Sequence, residues 1–71
     1  MRYTIIIERG PNSFSAYAPD LPGCVAAADT EAETIKLMEE ALALHIEDMR
    51  ARGEPLPDPT SFPREVEVAG I

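Results

Sequence analysis

Apolar and polar positions change rhythm along the chain, and the changes mark its elements. In "RYTIIIE", Arg2 to Glu8, an extended chain puts Tyr3, Ile5 and Ile7 on one face and Thr4 and Ile6 on the other. β-Branched and aromatic residues suit a pleated strand, and a strand apolar on both faces belongs inside a sheet. "RGPNS", Arg9 to Ser13, is turn chemistry, after which Phe14, Ala16 and Ala18 alternate with Ser15 and Tyr17. The two runs predict a β-hairpin. Pro19 to Gly23 bend the chain again, and the short apolar run "CVAAA", Cys24 to Ala28, predicts a third strand.

From Thr30 the period becomes helical. Thr30 followed by Glu33 is a capping box, Glu31 and Glu33 lie in the positive first turn, and Arg50 and Arg52 lie in the negative last turn before Gly53. The spacing predicts a helix over Thr30 to Arg52, about six turns at ~3.6 residues per turn. At 100° per residue Ile35, Met38, Leu42, Ile46 and Met49 form the stripe that should cover the sheet, with Ala41 and His45 beside it. Leu37, Leu44 and Ala51 fall roughly opposite, a heptad apart, so a lone molecule would leave them in water. Apolar residues aligned in that way are a candidate partner or self-association surface.

"EPLPDPTSFP", Glu54 to Pro63, contains four prolines and must be stiff, extended and poor in amide donors. It reads as a tether returning the chain along the molecule. "REVEVAGI" then sets Val66 and Val68 against Glu65 and Glu67, the pattern of a strand with one wet side. The order is β-β-β-α-β, an α+β fold. Three strands form an antiparallel meander, and the last, reached by a right-handed helical crossover, lies parallel to the third beside the central first strand. The expected product is a mixed four-stranded sheet with one helix packed on one face.

A chain of 71 residues is one domain, 1–71, near the size at which a single core barely offsets chain entropy. Cys24 is its one cysteine, so no internal disulfide assists, and self-association is a natural stabiliser. An unpaired cysteine and the absence of a leader-like N-terminus point to the cytoplasm, and no apolar run is long enough to span a membrane. Thirteen acids against six bases give a net charge of −7, which repels a phosphate backbone and suits a basic protein partner.

Candidate chemistry is sparse. A nucleophilic Cys24 would need His45, the chain's one histidine, as its base, and no nucleophile signature surrounds it; a buried small apolar role is the simpler reading. One Cys and one His cannot complete a four-ligand zinc site. Glu8, Asp20 and Asp29 are candidate ligands for a divalent ion, but the two aspartates sit where turns and helix entries ordinarily use them. Glu39, Glu40, Glu47 and Asp48 read as a solvated helix face, and no glycine-rich phosphate loop occurs. These residues imply no cofactor and no enzyme.

Taken together, "YTIIIE", an aromatic second strand, "PDLPGC", and "DT" opening a helix that runs into "EEALALHIEDMRARGEPLPDP" resemble the HicB-like antitoxin family of bacteria and archaea, formerly grouped with small uncharacterised proteins. The likeness covers nearly the whole chain, and its motif positions are Pro19, Asp20, Leu21, Pro22, Gly23, Cys24, Asp29 and Thr30. Where the family often has glycine before "DT", this chain has Ala28. The resemblance implies a reduced ribonuclease H-like fold. It further implies a non-catalytic module that neutralises a small, basic, mRNA-cleaving toxin of a type II toxin-antitoxin system by covering its active site.

Members of that family typically carry a further C-terminal DNA-binding segment, for which this sequence has no counterpart, so direct DNA binding is not expected. The alternatives are an orphan homo-oligomeric regulatory protein without a toxin, and a metal-dependent nuclease retaining its ancestral fold through Glu8 or Asp20. Self-association is expected as a homodimer or a dimer of dimers, through the open sheet face or the Leu37 and Leu44 side of the helix.

Overall fold

The strands are shorter than the apolar runs that form them. The computed structural model describes residues 1–70, in which β1 spans Ile6–Arg9, β2 Phe14–Tyr17, β3 Val25–Ala28 and α1 Glu31–Ala51. The strands form one antiparallel meander in the order β1-β2-β3, and the Gly10 amide donates to the Ser13 carbonyl at 2.8 Å to close the first turn. Arg2 to Ile5 precede the ladder rather than joining it, and Cys24 ends the bend before β3.

Register sorts the side chains into two kinds of row. Ile7 opposes Ala16, which opposes Ala26, and these face the helix; Ile6 opposes Tyr17, which opposes Val25, and these face away from it. Three of the four residues of β3 are alanine, so the floor beneath α1 is low. A low floor lets the helix backbone approach, and Met38 fills the space, fully buried against Ala16, Ala18, Leu21 and Cys24. Tyr3, Ile5, Ile7, Ala41, Leu42, Ile46 and Met49 pack around that cluster. Along α1 the side chains pack on β3 and β2, which leaves the far side of the β1 face partly open.

Both helix ends follow the capping rules. The Thr30 hydroxyl accepts from the Glu33 amide at 3.1 Å and donates to the Glu33 carboxylate at 3.2 Å. At the other end the Gly53 amide donates to the Arg50 carbonyl and the Glu54 amide to the Met49 carbonyl. This is the paired Schellman arrangement, and it needs the positive φ of 70° that Gly53 supplies. The predicted span was therefore right to within its caps. The buried face, however, is rotated from the predicted stripe. Ile35 sits at its margin, whereas Thr34 is fully buried. A threonine can enter the core because its hydroxyl donates back to the Thr30 carbonyl at 2.8 Å, so no polar atom is stranded.

The expected fourth strand is not formed by the described single chain. Among the described residues the sheet has three strands, all antiparallel, and residues 62–70 are exposed and outside it, ending in a turn at Ala69 and Gly70. Proline explains part of this. Pro55, Pro57, Pro59 and Pro63 offer no amide, so the tether cannot join a ladder and is held by side chains instead. The Tyr3 hydroxyl donates to the Pro57 carbonyl at 2.6 Å and the Thr4 hydroxyl to the Ser61 carbonyl at 2.9 Å. Beyond Ser61 the chain leaves the body. Ile71, the last residue of the expected strand segment, lies outside the described residues.

Met38→Ala should destabilise the fold by about 2–5 kcal/mol, the range for truncating a buried side chain that leaves a cavity. Leu44→Ala, on the opposite side of the same helix, should change stability by less than ~0.5 kcal/mol. Urea unfolding followed by circular dichroism measures both, and equal losses would contradict the assigned helix faces.

Candidate interaction surfaces

The proline-bounded corner after β2 is built by its own backbone. The Leu21 amide donates to the Ala18 carbonyl and the Cys24 amide to the Leu21 carbonyl, both at 3.1 Å, while the Ala18 amide donates to the Cys24 carbonyl at 3.3 Å. Gly23 has φ 88°, a conformation that side chains rarely adopt. The turn drives Leu21 and Cys24 inward, to 1% and 4% exposure, and leaves Pro19, Pro22 and Gly23 outside. Burial pushes the Cys24 thiol up, so it stays protonated and behaves as a small apolar core residue.

Asp20 does something that local sequence does not reveal. Its carboxylate accepts from the Thr60 hydroxyl at 3.1 Å, the Ser61 amide at 3.1 Å and the Ser61 hydroxyl at 3.0 Å. The corner is thereby clamped to the tether forty residues away. The Ser61 amide bond is the largest cause holding the Asp20 carboxyl below its ordinary value; desolvation opposes it, and the Ser61 and Thr60 hydroxyls add to the lowering. Only the run "TS" after the prolines hinted at this, and nothing in the spacing paired it with Asp20.

Asp29 and Thr30 occupy the helix entry, and Thr30 caps it as expected. Leu37, Leu44 and Ala51 are all exposed, with Leu44 at 67%. At 100° per residue the exposed carboxylates of Glu33, Glu40, Glu47 and Asp48 fall within ~80° of that leucine line. The helix thus presents an apolar strip lined with acids. On the other side of the molecule the Ile6–Tyr17–Val25 row forms a second apolar strip, with Tyr17 and Val25 exposed. No group of three or more His, Cys, Asp or Glu side chains is placed to share a metal ion among the described residues. Glu8, Asp20 and Asp29 are therefore not brought together, and no described helix is long and apolar enough to cross a membrane.

Comparison with known proteins supplies a context for these surfaces. Residues 3–68 match the family model of the HicB-like antitoxin of bacterial toxin-antitoxin systems. A UPF0150 protein of Synechocystis sp. is 36% identical over 56 residues, covering 78% of this chain and 71% of its own. A UPF0150 protein of Thermoplasma acidophilum is 31% identical over 58 residues, covering 80% and 84%. An uncharacterised 14.9 kDa protein from the rep-hol intergenic region of Haemophilus phage HP1 is 40% identical over 57 residues; the alignment spans 80% of this chain but only 43% of that longer protein. Among solved structures, a chain of the HicA3 and HicB3 toxin-antitoxin complex superposes with TM-score 0.71 at 43% identity, covering 86% of this chain and 71% of that one.

Asp20→Asn tests the clamp. Because the folded-state carboxyl titrates below its ordinary value of about 3.9, the stabilisation is fully present above that value and is lost as pH falls through the lowered one. Wild type should be the more stable at neutral pH, and its advantage should shrink as acid protonates Asp20. Melting temperatures across an acid series measure this, and a gap independent of pH would contradict it.

Proposed function

The chain belongs to the HicB-like antitoxin family, and from that premise we propose that it binds and neutralises a small basic mRNA-cleaving toxin without catalysing a reaction itself. The match over residues 3–68 carries the reading. The solved structure that this chain resembles is a toxin-antitoxin complex, which supports a toxin as the partner. The acidic balance of −7 favours encounter with a cationic protein.

The toxin-binding surface we assign is the outer helix strip of Leu37, Leu44 and Ala51. An apolar centre with a charged rim is the usual anatomy of an interface, and here Glu33, Glu40, Glu47 and Asp48 provide the rim. The motif residues Pro19, Asp20, Leu21, Pro22, Gly23, Cys24, Asp29 and Thr30 act at one remove, shaping the corner and capping the helix that carries the strip. We take residues 1–71 as one domain working in the cytoplasm and assembling as a homodimer or a dimer of dimers. The reduced ribonuclease H-like fold, with its fourth strand, is the assembled form of that domain, a reading supported by the alternation of Val66 and Val68 with Glu65 and Glu67.

Titration calorimetry against a small basic toxin, if one is encoded beside this gene, tests the reading, and the lack of such a neighbour would count against it. Wild type should bind with an affinity that falls as salt rises, since exposed charges are screened. Leu44→Glu should weaken binding at least tenfold, about 1.4 kcal/mol, while leaving the helical circular dichroism unchanged. No binding by wild type would overturn the function; undiminished binding by the variant would move the surface elsewhere.

A further inference from the structure

Residues 62–70 are the part of the molecule that its own fold leaves unused. Phe62, Val66 and Val68 are exposed by 67%, 82% and 61%, an apolar series spaced two residues apart apart from position 64. There the Arg64 guanidinium lies 5.2 Å from the centre of the Phe62 ring, so the two side chains share one side of the extended chain. Pro63, Glu65 and Glu67 alternate with them. This is the pattern of a strand with one face to bury, yet all of its residues are exposed. The radius of gyration shows the same projection: 14.2 Å, against the ~11 Å expected of a packed chain of this length.

The matching vacancy is the outer edge of β1. In the order β1-β2-β3 this strand has, among the described residues, a ladder partner on one side only. α1 packs chiefly over β3 and β2, so beside Ile7 there is an open depression bordered by Arg9, Phe14 and Glu31. An added strand would pair with the edge and lay its valines towards that depression. The tether fixes where the arm starts, because Thr4 holds Ser61 at the head of β1. From that point on, residues 62–70 are exposed and pair with no described strand of their own molecule.

We propose that the arm, residues 64–69, pairs with the β1 edge of a second copy of this chain, and that the second copy returns the same contact. One operation satisfies both halves. Arm and edge start from the same place in each molecule, so a two-fold axis can match the arm of each to the edge of the other and close the pair. The arm is long enough: six residues at ~3.3 Å extend about 20 Å, against about 13 Å for the four residues of β1. A domain whose fully buried apolar side chains are few also needs the added core. This proposal rests on the four-stranded reading of the assembled fold and is independent of the toxin.

The test uses the full chain without any toxin. Wild type should sediment at twice the chain mass, and Val66→Pro, which removes an amide from an exposed segment and touches no core residue, should sediment at the chain mass with unchanged helical circular dichroism. In a mixture of isotope-labelled and unlabelled wild-type chains, filtered nuclear Overhauser spectra should connect Val66 and Val68 methyls of one chain to β1 amides of the other. A wild-type chain that sediments as a monomer overturns the proposal. So does a Val66→Pro chain that stays dimeric, which would place the contact on the open sheet face or the Leu44 strip. Methyl-to-β1 contacts found only within one chain would show that the arm folds back onto its own edge, which also overturns it.

Discussion

Everything in this small domain depends on how closely one helix can approach a sheet. β3 and the inner face of β2 are lined largely with alanine, and that floor brings the helix down until Met38 is sealed from water. The closeness has consequences. It admits Thr34 to the interior, where a larger side chain would have held the helix off, and it centres α1 over β3 and β2 rather than β1. The far side of the β1 face is consequently the least covered part of the sheet.

A second constraint comes from hydrogen bonds that join distant segments. Tyr3, Thr4 and Asp20 all reach the tether, although they come from the N-terminus and from the corner after β2. Each uses a side chain because the proline-rich tether has few amides to offer. Where an amide is available, at Ser61, Asp20 takes it. The corner motif therefore does two jobs. Its backbone turns the chain and buries Leu21 and Cys24, and its aspartate fixes where the tether ends.

What was legible in the sequence was whatever depends on near neighbours. The hairpin, the bend and the helix with both its caps follow from spacing within a few residues, and the structure reproduces them. The rotation of the helix was not legible, because it is set by the size of alanines on a strand reached only through folding. The Asp20 clamp was hidden by its forty-residue separation. The alternation at Val66 and Val68 was legible, but the described chain forms no fourth strand from it, since alternation states that a face must be covered and not by which molecule. The leucines at 37 and 44 were legible as exposed, and they are.

Pro63 would give the proposed exchange of arms a built-in origin. Edge strands that pair freely slip in steps of two residues, and slippage leads to mixed registers and open chains of molecules. Here Pro63 interrupts the amides, and the first donor beyond it belongs to Arg64, three residues past the Ser61 carbonyl anchored by Thr4. Pairing is counted from that fixed point. In the proposed exchange, an anchor and a missing donor together would act as a ruler, so the tail would meet its partner strand at one setting and favour a closed pair over a fibre.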